Sequence, residues 1–273
     1  MLIAHISDTH IKTPGKKAYG RVDTAQMLQR CVQHLLQLRP QPDLVVLTGD
    51  LVDLGRPEEY AHLQQLLSPL HLPLVVVPGN HDARDAMRQV FAHHRYLPAT
   101  GFLHFSLDNT YPLRIIGLDT LVPFEGRGEL CAERLAWLET TLAQAPEQPT
   151  LVLMHHPPFL TGIAHMDALG LTGREAFASI LARHPQVQAV LCGHLHRHIH
   201  TRVGGHSAMT APSPAHQVVL DLDPQGPSQF CMEPPGYLLH RWLDGQFLSH
   251  SVVLGEHEGP YPFHDASGQL IDE

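Results

Sequence analysis

The chain has 273 residues, 43% of them apolar, so it is long enough to bury a sizeable core in one large α/β domain. Its formal charge of −9, from 18 basic and 27 acidic residues without runs of like charge, excludes an electrostatic surface for nucleic acid or an anionic membrane. The chain has no secretory signal pattern and no apolar run near the roughly 20 residues of a membrane span, which favours a cytoplasmic protein.

The first 200 residues alternate short β-branched apolar runs with helical patterns, which predicts helices packed on a largely parallel sheet. The predicted strands are Leu2–Ser7, Leu44–Thr48, Leu74–Val77, Phe102–Leu107, Arg114–Asp119, Leu151–Met154 and Ala189–Cys192. The predicted helices are Asp23–Leu38, Pro57–Leu67, Ala83–Phe91, Cys131–Ala143 and Arg174–Arg183.

The pattern changes after Gly193, where short strand candidates follow each other without helices and suggest a second, more antiparallel sheet. These candidates are Ile199–Val203, Gln217–Leu222, Tyr237–Leu243 and Phe247–Leu254. The Pro- and Gly-rich segment Asp223–Gly236 is expected to be a loop or small cap, and Glu256–Glu273 has little apolar periodicity. We therefore expect a domain over residues 1–254 and a surface tail over residues 255–273.

Acidic, Asn or His residues follow five of the predicted strands. They belong to the segments Asp8-Thr9-His10, Gly49-Asp50, Gly79-Asn80-His81-Asp82, His155-His156 and Gly193-His194-Leu195-His196. Ligands of open α/β sheets collect at the carboxyl ends of the strands, so these side chains should converge on one small volume. In Asp8-Thr9-His10 on an extended chain, the outer two side chains should face the same way.

The chemistry of these residues indicates a metal site. Carboxylate, amide and imidazole ligands suit Fe, Mn, Zn or Co, and the four widely separated cysteines offer no thiolate cluster. A pair of divalent ions sharing one carboxylate would bind a hydroxide and neutralise a phosphoryl group. The chain has 23 His, so a single His means little unless it lies at a strand end.

The five motifs and their order resemble those of the calcineurin-like metallophosphoesterases. The resemblance implies a four-layer αββα sandwich of two mixed sheets flanked by helices, and two divalent metal ions. One ion would bind Asp8, His10 and His196, the other Asn80, His155 and His194, and Asp50 would bridge them. His156 competes with His155, but the family pattern favours the first His of the pair.

The resemblance also implies roles for residues that bind no metal. His81 would contact the phosphate together with the metal ligand Asn80 and assist the leaving oxygen, and Asp82 would either orient His81 or cap the next helix. His216 and Tyr19 match positions that line the substrate pocket, although in a His-rich chain His216 could equally be a surface residue.

Within the family, the chain resembles the class III cyclic-nucleotide phosphodiesterases and especially the bacterial glycerophosphodiesterases. The segments that carry this closer resemblance are Tyr19-Gly20, Gly55–Tyr60, Met154–Pro158 and Ala215–Gln217. We therefore expect hydrolysis of a small phosphodiester by a metal-bridging hydroxide, with a 3′,5′-cyclic nucleotide such as cAMP as the alternative substrate. A non-catalytic scaffold of the same fold would be expected to lack some ligands.

The resemblance further implies a homo-oligomer, whose copies would contact one another through the strands after Gly193 and the segment Asp223–Gly236.

Overall fold

The computed structural model describes residues 1–271, which fold into strands and helices in the following chain order. The strands are β1 (Leu2–Ile6), β2 (Leu44–Thr48), β3 (Leu74–Val77), β4 (Phe105–Leu107), β5 (Arg114–Gly117), β6 (Gly128–Glu129), β7 (Thr150–Leu153), β8 (Leu171–Thr172), β9 (Val187–Cys192), β10 (Ile199–Val203), β11 (His206–Thr210), β12 (Gln217–Val218), β13 (Phe230–Cys231), β14 (Gly236–Leu243) and β15 (Gln246–Val253). The helices are α1 (Thr24–Gln37), α2 (Pro57–Leu67), α3 (Arg84–Val90), α4 (Ala132–Ala143), α5 (Ala164–Asp167) and α6 (Arg174–Leu181).

Most strands belong to two mixed sheets. The first has the order β15-β14-β1-β2-β3, in which β1 to β3 are parallel and the β14–β15 hairpin is antiparallel to β1. The second has the order β10-β11-β9-β7-β5-β4, with antiparallel strands only at its two edges. The carboxyl ends of the parallel strands therefore form two rows.

The alternation of side chains along each strand produces four layers. In β2, Val45 packs with α1, α2 and α3 on the outside of the first sheet, whereas Val46 packs against the second sheet. In β7, Leu151 faces the first sheet and Val152 packs with α4 and α6 on the other outer side. The αββα architecture that the family resemblance implied is confirmed.

Helix α1 illustrates how the sequence determines these layers. The side chain of Asp23 accepts a hydrogen bond from the backbone N–H of Gln26 at 3.0 Å, which caps the first turn. Leu28, Cys31 and Leu35 follow at helical spacing and are fully buried against the first sheet. The helix therefore lies within the predicted range and buries the predicted face.

The prediction of a separate antiparallel sheet after Gly193 is wrong. β10 and β11 extend the second sheet, because β11 pairs in parallel with β9, and β14 and β15 extend the first sheet. Strand β11 was not predicted, since only Ala208 and Met209 give it apolar character. Of the predicted strand Gln217–Leu222 only β12 forms, and it pairs with β13 inside the segment predicted as a loop.

Residues 255–271 of the predicted tail are exposed, and residues 272 and 273 lie outside the described part of the chain. The domain boundary at residue 254 stays a prediction.

Among the described residues, no helix combines the length and apolar character needed to cross a membrane.

Candidate metal centre

The predicted ligands lie together where strands of both sheets end. Four of them follow strands of the first sheet: Asp8 and His10 after β1, Asp50 after β2 and Asn80 after β3. The others follow strands of the second sheet: His155 after β7, and His194 and His196 after β9. Side chains from all five strand ends contact one another, as expected from the position of the motifs.

The backbone is left-handed at most of these positions. Positive φ angles occur at Asp8 (56°), His10 (44°), Asp50 (49°), His194 (73°) and His196 (52°). Such angles cost roughly 1–3 kcal/mol each in a residue with a side chain, and they persist at functional sites where the surrounding structure enforces them. The extended geometry expected for Asp8-Thr9-His10 is therefore wrong. The chain turns there, and the N–H groups of Asp8 and His10 donate to the carbonyls of Gly49 and Asp50.

At two glycines of the motifs, atoms of neighbouring residues lie so close to the backbone that a side chain would not fit. A Cβ atom on Gly193 would lie 1.9 Å from Ser7 Oγ and 2.9 Å from Asp8 Oδ2. A Cβ atom on Gly79 would lie 2.2 Å from Asp50 Oδ1. Both distances are far inside van der Waals contact, so a larger residue at either position would displace the carboxylate beside it.

Asp50 lies between two groups of ligands. On one side its Oδ2 atom is 3.6 Å from His10 Nε2, which is itself 3.1 Å from His196 Nε2. On the other side the same Oδ2 atom is 3.3 Å from His155 Nε2, which is 3.0 Å from Asn80 Oδ1. Asp8 completes the first group, with Oδ1 3.6 Å from His196 Nε2.

Hydrogen bonds fix the tautomers of three imidazoles. His155 Nδ1 donates to the carbonyl of Thr48 at 2.7 Å, and His196 Nδ1 donates to the carbonyl of His216 at 3.0 Å. His10 Nδ1 lies 3.2 Å from the carboxylate of Asp53. With Nδ1 as the donor, each neutral ring presents the lone pair of Nε2 to the site, which is the arrangement a metal ligand needs.

The residues present fit a divalent cation. His194 Nε2 is buried without a hydrogen-bond partner, which is costly unless another group binds it. Burial opposes charge on Asp50, yet the neighbouring His155 and His81 rings hold the pKa of its carboxyl well below the usual range. Burial also opposes charge on His155, but Asp50 raises the pKa of that ring to about 9. The buried carboxylate thus attracts positive charge to the centre of the site.

The structure distinguishes His155 from His156. His155 directs Nε2 towards Asp50 and Asn80, whereas both nitrogens of His156 are occupied outside this group. The Nδ1 atom of His156 pairs with Thr120 Oγ1 at 2.8 Å, and its Nε2 atom pairs with the carbonyl of Gly126 at 3.1 Å. The choice of the first His as the ligand stays a prediction, since a nitrogen of His156 lies within 4.8 Å of nitrogens of His155 and His194.

His81 lies at the site, but the contact expected from Asp82 is not formed. His81 donates its backbone N–H to Asp50 Oδ1 at 2.8 Å and its Nδ1–H to the carbonyl of Asp53 at 2.7 Å. Asp82 instead accepts from the backbone N–H of Gly79 at 2.9 Å and from the hydroxyl of Tyr60 at 2.8 Å. The prediction that Asp82 orients His81 is therefore corrected: Asp82 closes the loop that carries Asn80 and His81, and Asp53 orients the ring.

Tyr19 and His216 line a cavity of about 410 Å³ beside the ligands, which we call the hairpin pocket. His216 is buried, and its ring lies 4.5 Å from that of His196 and 5.3 Å from that of Tyr19, between ring centroids. The β12–β13 hairpin forms another wall of this pocket with Ser228, Gln229 and Phe230. Further lining residues from the segment around α5 are His165, Met166 and Leu169.

Sequence reasoning missed Asp53 and the pocket residues from the hairpin. The signal for Asp53 was an acidic side chain three residues after Asp50, but no motif included it. The segment Asp223–Gly236 was expected to be a loop and an oligomer contact, and its contribution to the pocket was not foreseen. The predicted homo-oligomer stays a prediction.

Comparison with known proteins identifies the class to which this fold and site belong. Residues 1–198 match the family model described as calcineurin-like phosphoesterase, and the chain belongs to that family. A dimetal phosphatase from Danio rerio has a similar fold, with a TM-score of 0.64, 14% identity, and coverage of 93% of this chain and 98% of the other. The predictions of the metallophosphoesterase fold and of a hydrolytic enzyme are confirmed.

Two relatives indicate the subfamily within this class. A probable glycerophosphodiester phosphodiesterase of Arcobacter nitrofigilis is 42% identical, with full coverage of both chains. A probable cyclic nucleotide phosphodiesterase of Rhodopseudomonas palustris is 35% identical over 96% of this chain and 95% of the relative. The predicted subfamily, which joins these two kinds of enzyme, is confirmed.

Proposed function

We propose that this chain is a binuclear metal-dependent phosphodiesterase that hydrolyses small phosphodiesters of the glycerophosphodiester type. The observation that carries the proposal is the position of Asp50, whose Oδ2 atom lies within 3.6 Å of His10 Nε2 and 3.3 Å of His155 Nε2. A carboxylate between two groups of imidazoles suits a shared ligand of two ions. The relative of Arcobacter nitrofigilis supports the substrate class.

We propose the following ligands. One ion would bind Asp8, His10 and His196, the other would bind Asn80, His155 and His194, and Asp50 would belong to both. Oxygen and nitrogen ligands without thiolates suit Fe, Mn, Zn or Co. Two such ions, when bound, supply positive charge for the phosphoryl group and lower the pKa of water.

The residues of the chain position the diester and move the proton. Asn80 directs its amide oxygen to His155, which leaves its amide N–H groups as donors for a phosphoryl oxygen. The Nδ1–H of His81 is committed to the carbonyl of Asp53, so only its Nε2 atom is available to the substrate. In the imidazolium form, His81 would donate the Nε2 proton to the departing alkoxide. Asp53 holds the ring in the orientation that this transfer needs.

The hairpin pocket suits one substituent of such a diester. Ser228, Gln229 and the hydroxyl of Tyr19 offer hydrogen-bond partners for a polyol, which supports a glycerol substituent. The same pocket also contains two neighbouring aromatic rings, since the ring centroids of Tyr19 and Phe230 lie 5.0 Å apart, with the rings tilted by 31°. An aromatic wall of this kind favours a cyclic nucleotide as the second candidate, because a base would stack on it.

The test is hydrolysis of glycerophosphoethanolamine and of 3′,5′-cyclic AMP by protein reconstituted with Mn²⁺. We expect turnover of the glycerophosphodiester, with glycerol 3-phosphate and ethanolamine as the products. Asp50→Asn keeps the size of the side chain but removes the shared charge, so it should abolish turnover and lower the metal content measured by mass spectrometry. The matched control is Asp43→Asn, because Asp43 is exposed. Hydrolysis of the cyclic nucleotide alone, or full activity of Asp50→Asn, would contradict the proposal.

A further inference from the structure

His81 also lines a second cavity, of about 500 Å³. We call it the α3 pocket; its walls include Leu54, Arg84 and Phe124. Asn80 and His81 line both this pocket and the hairpin pocket. The two cavities therefore meet at the pair of residues that we propose to contact the phosphoryl group.

The two arginines in the α3 pocket already have ionic and hydrogen-bonding partners. Arg84 forms a bidentate pair with the buried Asp119, with Nε–Oδ2 and Nη2–Oδ1 distances of 2.6 and 2.8 Å. Arg88 Nη1 lies 2.8 Å from Asp85 Oδ1, and its Nε–H donates to a backbone carbonyl. These guanidinium groups are thus poorly placed to attract a further anion.

The carboxylates that line the pocket, those of Asp53, Asp82 and Asp85, are already bound by Lys12, Tyr60 and Arg88 respectively, and most of the other lining residues are apolar or aromatic. The Phe124 ring is fully exposed, and its backbone has a φ angle of +65°, which is unfavourable for a bulky residue. Leu54 is 53% exposed on the same pocket, and Pro123 precedes the ring. The strained backbone thus presents the exposed Phe124 ring at the α3 pocket, and an apolar group of a ligand would cover this ring.

We propose that the α3 pocket is a subsite for one ester substituent of the substrate, and that it selects a neutral apolar or aromatic group. A phosphodiester carries two substituents on phosphorus, and the two cavities share Asn80 and His81 as lining residues, so each cavity could receive one substituent. The hairpin pocket would receive the other substituent. This inference rests on the proposed phosphodiesterase function and identifies Phe124 as a specificity-determining residue.

The experiment compares a diester with two aromatic substituents and a diester with none. In bis(4-nitrophenyl) phosphate one ring must enter the α3 pocket in either orientation, whereas the methyl ester of glycerol 3-phosphate places no ring there. Phe124→Ala should lower kcat/KM for the aryl diester about 5-fold through KM, and change it less than about 2-fold for the methyl ester, as expected for the loss of one aromatic contact. Phe124→Tyr keeps the ring and should retain the wild-type ratio. Phe263→Ala, which removes an exposed ring of the tail, should change neither rate.

The outcomes separate the subsite from the proposed function. If the wild-type protein hydrolyses neither diester, the phosphodiesterase proposal fails. If it hydrolyses both and Phe124→Ala has no effect, or lowers both rates equally, only the subsite is refuted. A change in the oligomeric state of Phe124→Ala, measured by light scattering, would also refute it, because the ring would then be a contact between copies of the chain.

Discussion

At the scale of single residues, Asp53 holds two functional imidazoles through different atoms. Its carboxylate accepts from His10 Nδ1 at 3.2 Å and also pairs with Lys12, while its backbone carbonyl accepts from His81 Nδ1 at 2.7 Å. Lys12 and His10 hold the pKa of the Asp53 carboxyl well below its usual range against the effect of burial. The side chain therefore acts on a metal ligand, and the backbone acts on the proposed proton donor.

This division of roles leads to a prediction for Asp53→Asn. The amide cannot supply the negative charge that increases the basicity of His10, so metal affinity should fall by about 10- to 100-fold. The carbonyl that orients His81 is unchanged, so kcat at saturating metal should stay within about 3-fold of wild type, since the proton transfer retains its geometry. Activity measured against Mn²⁺ concentration separates the two effects, with Asp43→Asn as the control. An unaltered metal dependence would show that the carboxylate does not support the ligand.

The functional residues that could be predicted from the sequence differ in how they act from those that could not. The predicted ligands act through side chains, so their chemical types and spacing are visible as motifs. Thr48 and His216 hold His155 and His196 through backbone carbonyls, which any residue type provides. Support of this kind leaves no signal in a sequence and becomes visible only in the structure.

At the scale of elements, the β12–β13 hairpin depends on long-range contacts more than on local pattern. Each strand has two residues, too few for a period-two alternation to be recognised. The ring of Phe230 lies 5.2 Å from that of His216 and 5.0 Å from that of Tyr19, so aromatic packing holds the hairpin over the metal centre. The other strands after Gly193 show the same limitation. Each joins the first or the second sheet according to whether its hairpin pairs with β1 or β9, and a local sequence pattern cannot specify this pairing.

The hairpin should contribute to substrate binding and leave the metal ions unaffected. Phe230→Ala removes the ring that packs on Tyr19 and His216, so we expect KM for glycerophosphoethanolamine to rise by about 3- to 10-fold with kcat nearly unchanged, as for a loss of uniform binding. Steady-state kinetics and metal analysis of the same preparation test both parts. The control is Met232→Ala, an exposed residue two positions further along. A lower metal content in Phe230→Ala would show instead that the hairpin supports the ligands.

At the scale of the whole molecule, the metal centre joins the two sheets. Asp8, Asp50 and Asn80 come from the first sheet, and the histidines at positions 155, 194 and 196 come from the second. Side chains such as Val46 and Leu151 already pack the sheets together in the interior. The contacts at the ligands add buried charge to this packing, which is costly without a cation.

Metal binding should therefore stabilise the entire fold. At a free Mn²⁺ concentration about 100 times Kd, one site that binds only the folded state adds about 2.7 kcal/mol to the free energy of unfolding. For a chain of this size such a gain raises Tm by several degrees, roughly 2–4 °C for each kcal/mol. Thermal unfolding of the chelator-treated protein with and without Mn²⁺ measures the shift. It should be much smaller in Asp50→Asn and unchanged in Asp43→Asn, because Asp50 contacts ligands from both sheets and Asp43 contacts none of the proposed ligands. An equal shift in all three proteins would place the stabilising ion elsewhere in the molecule.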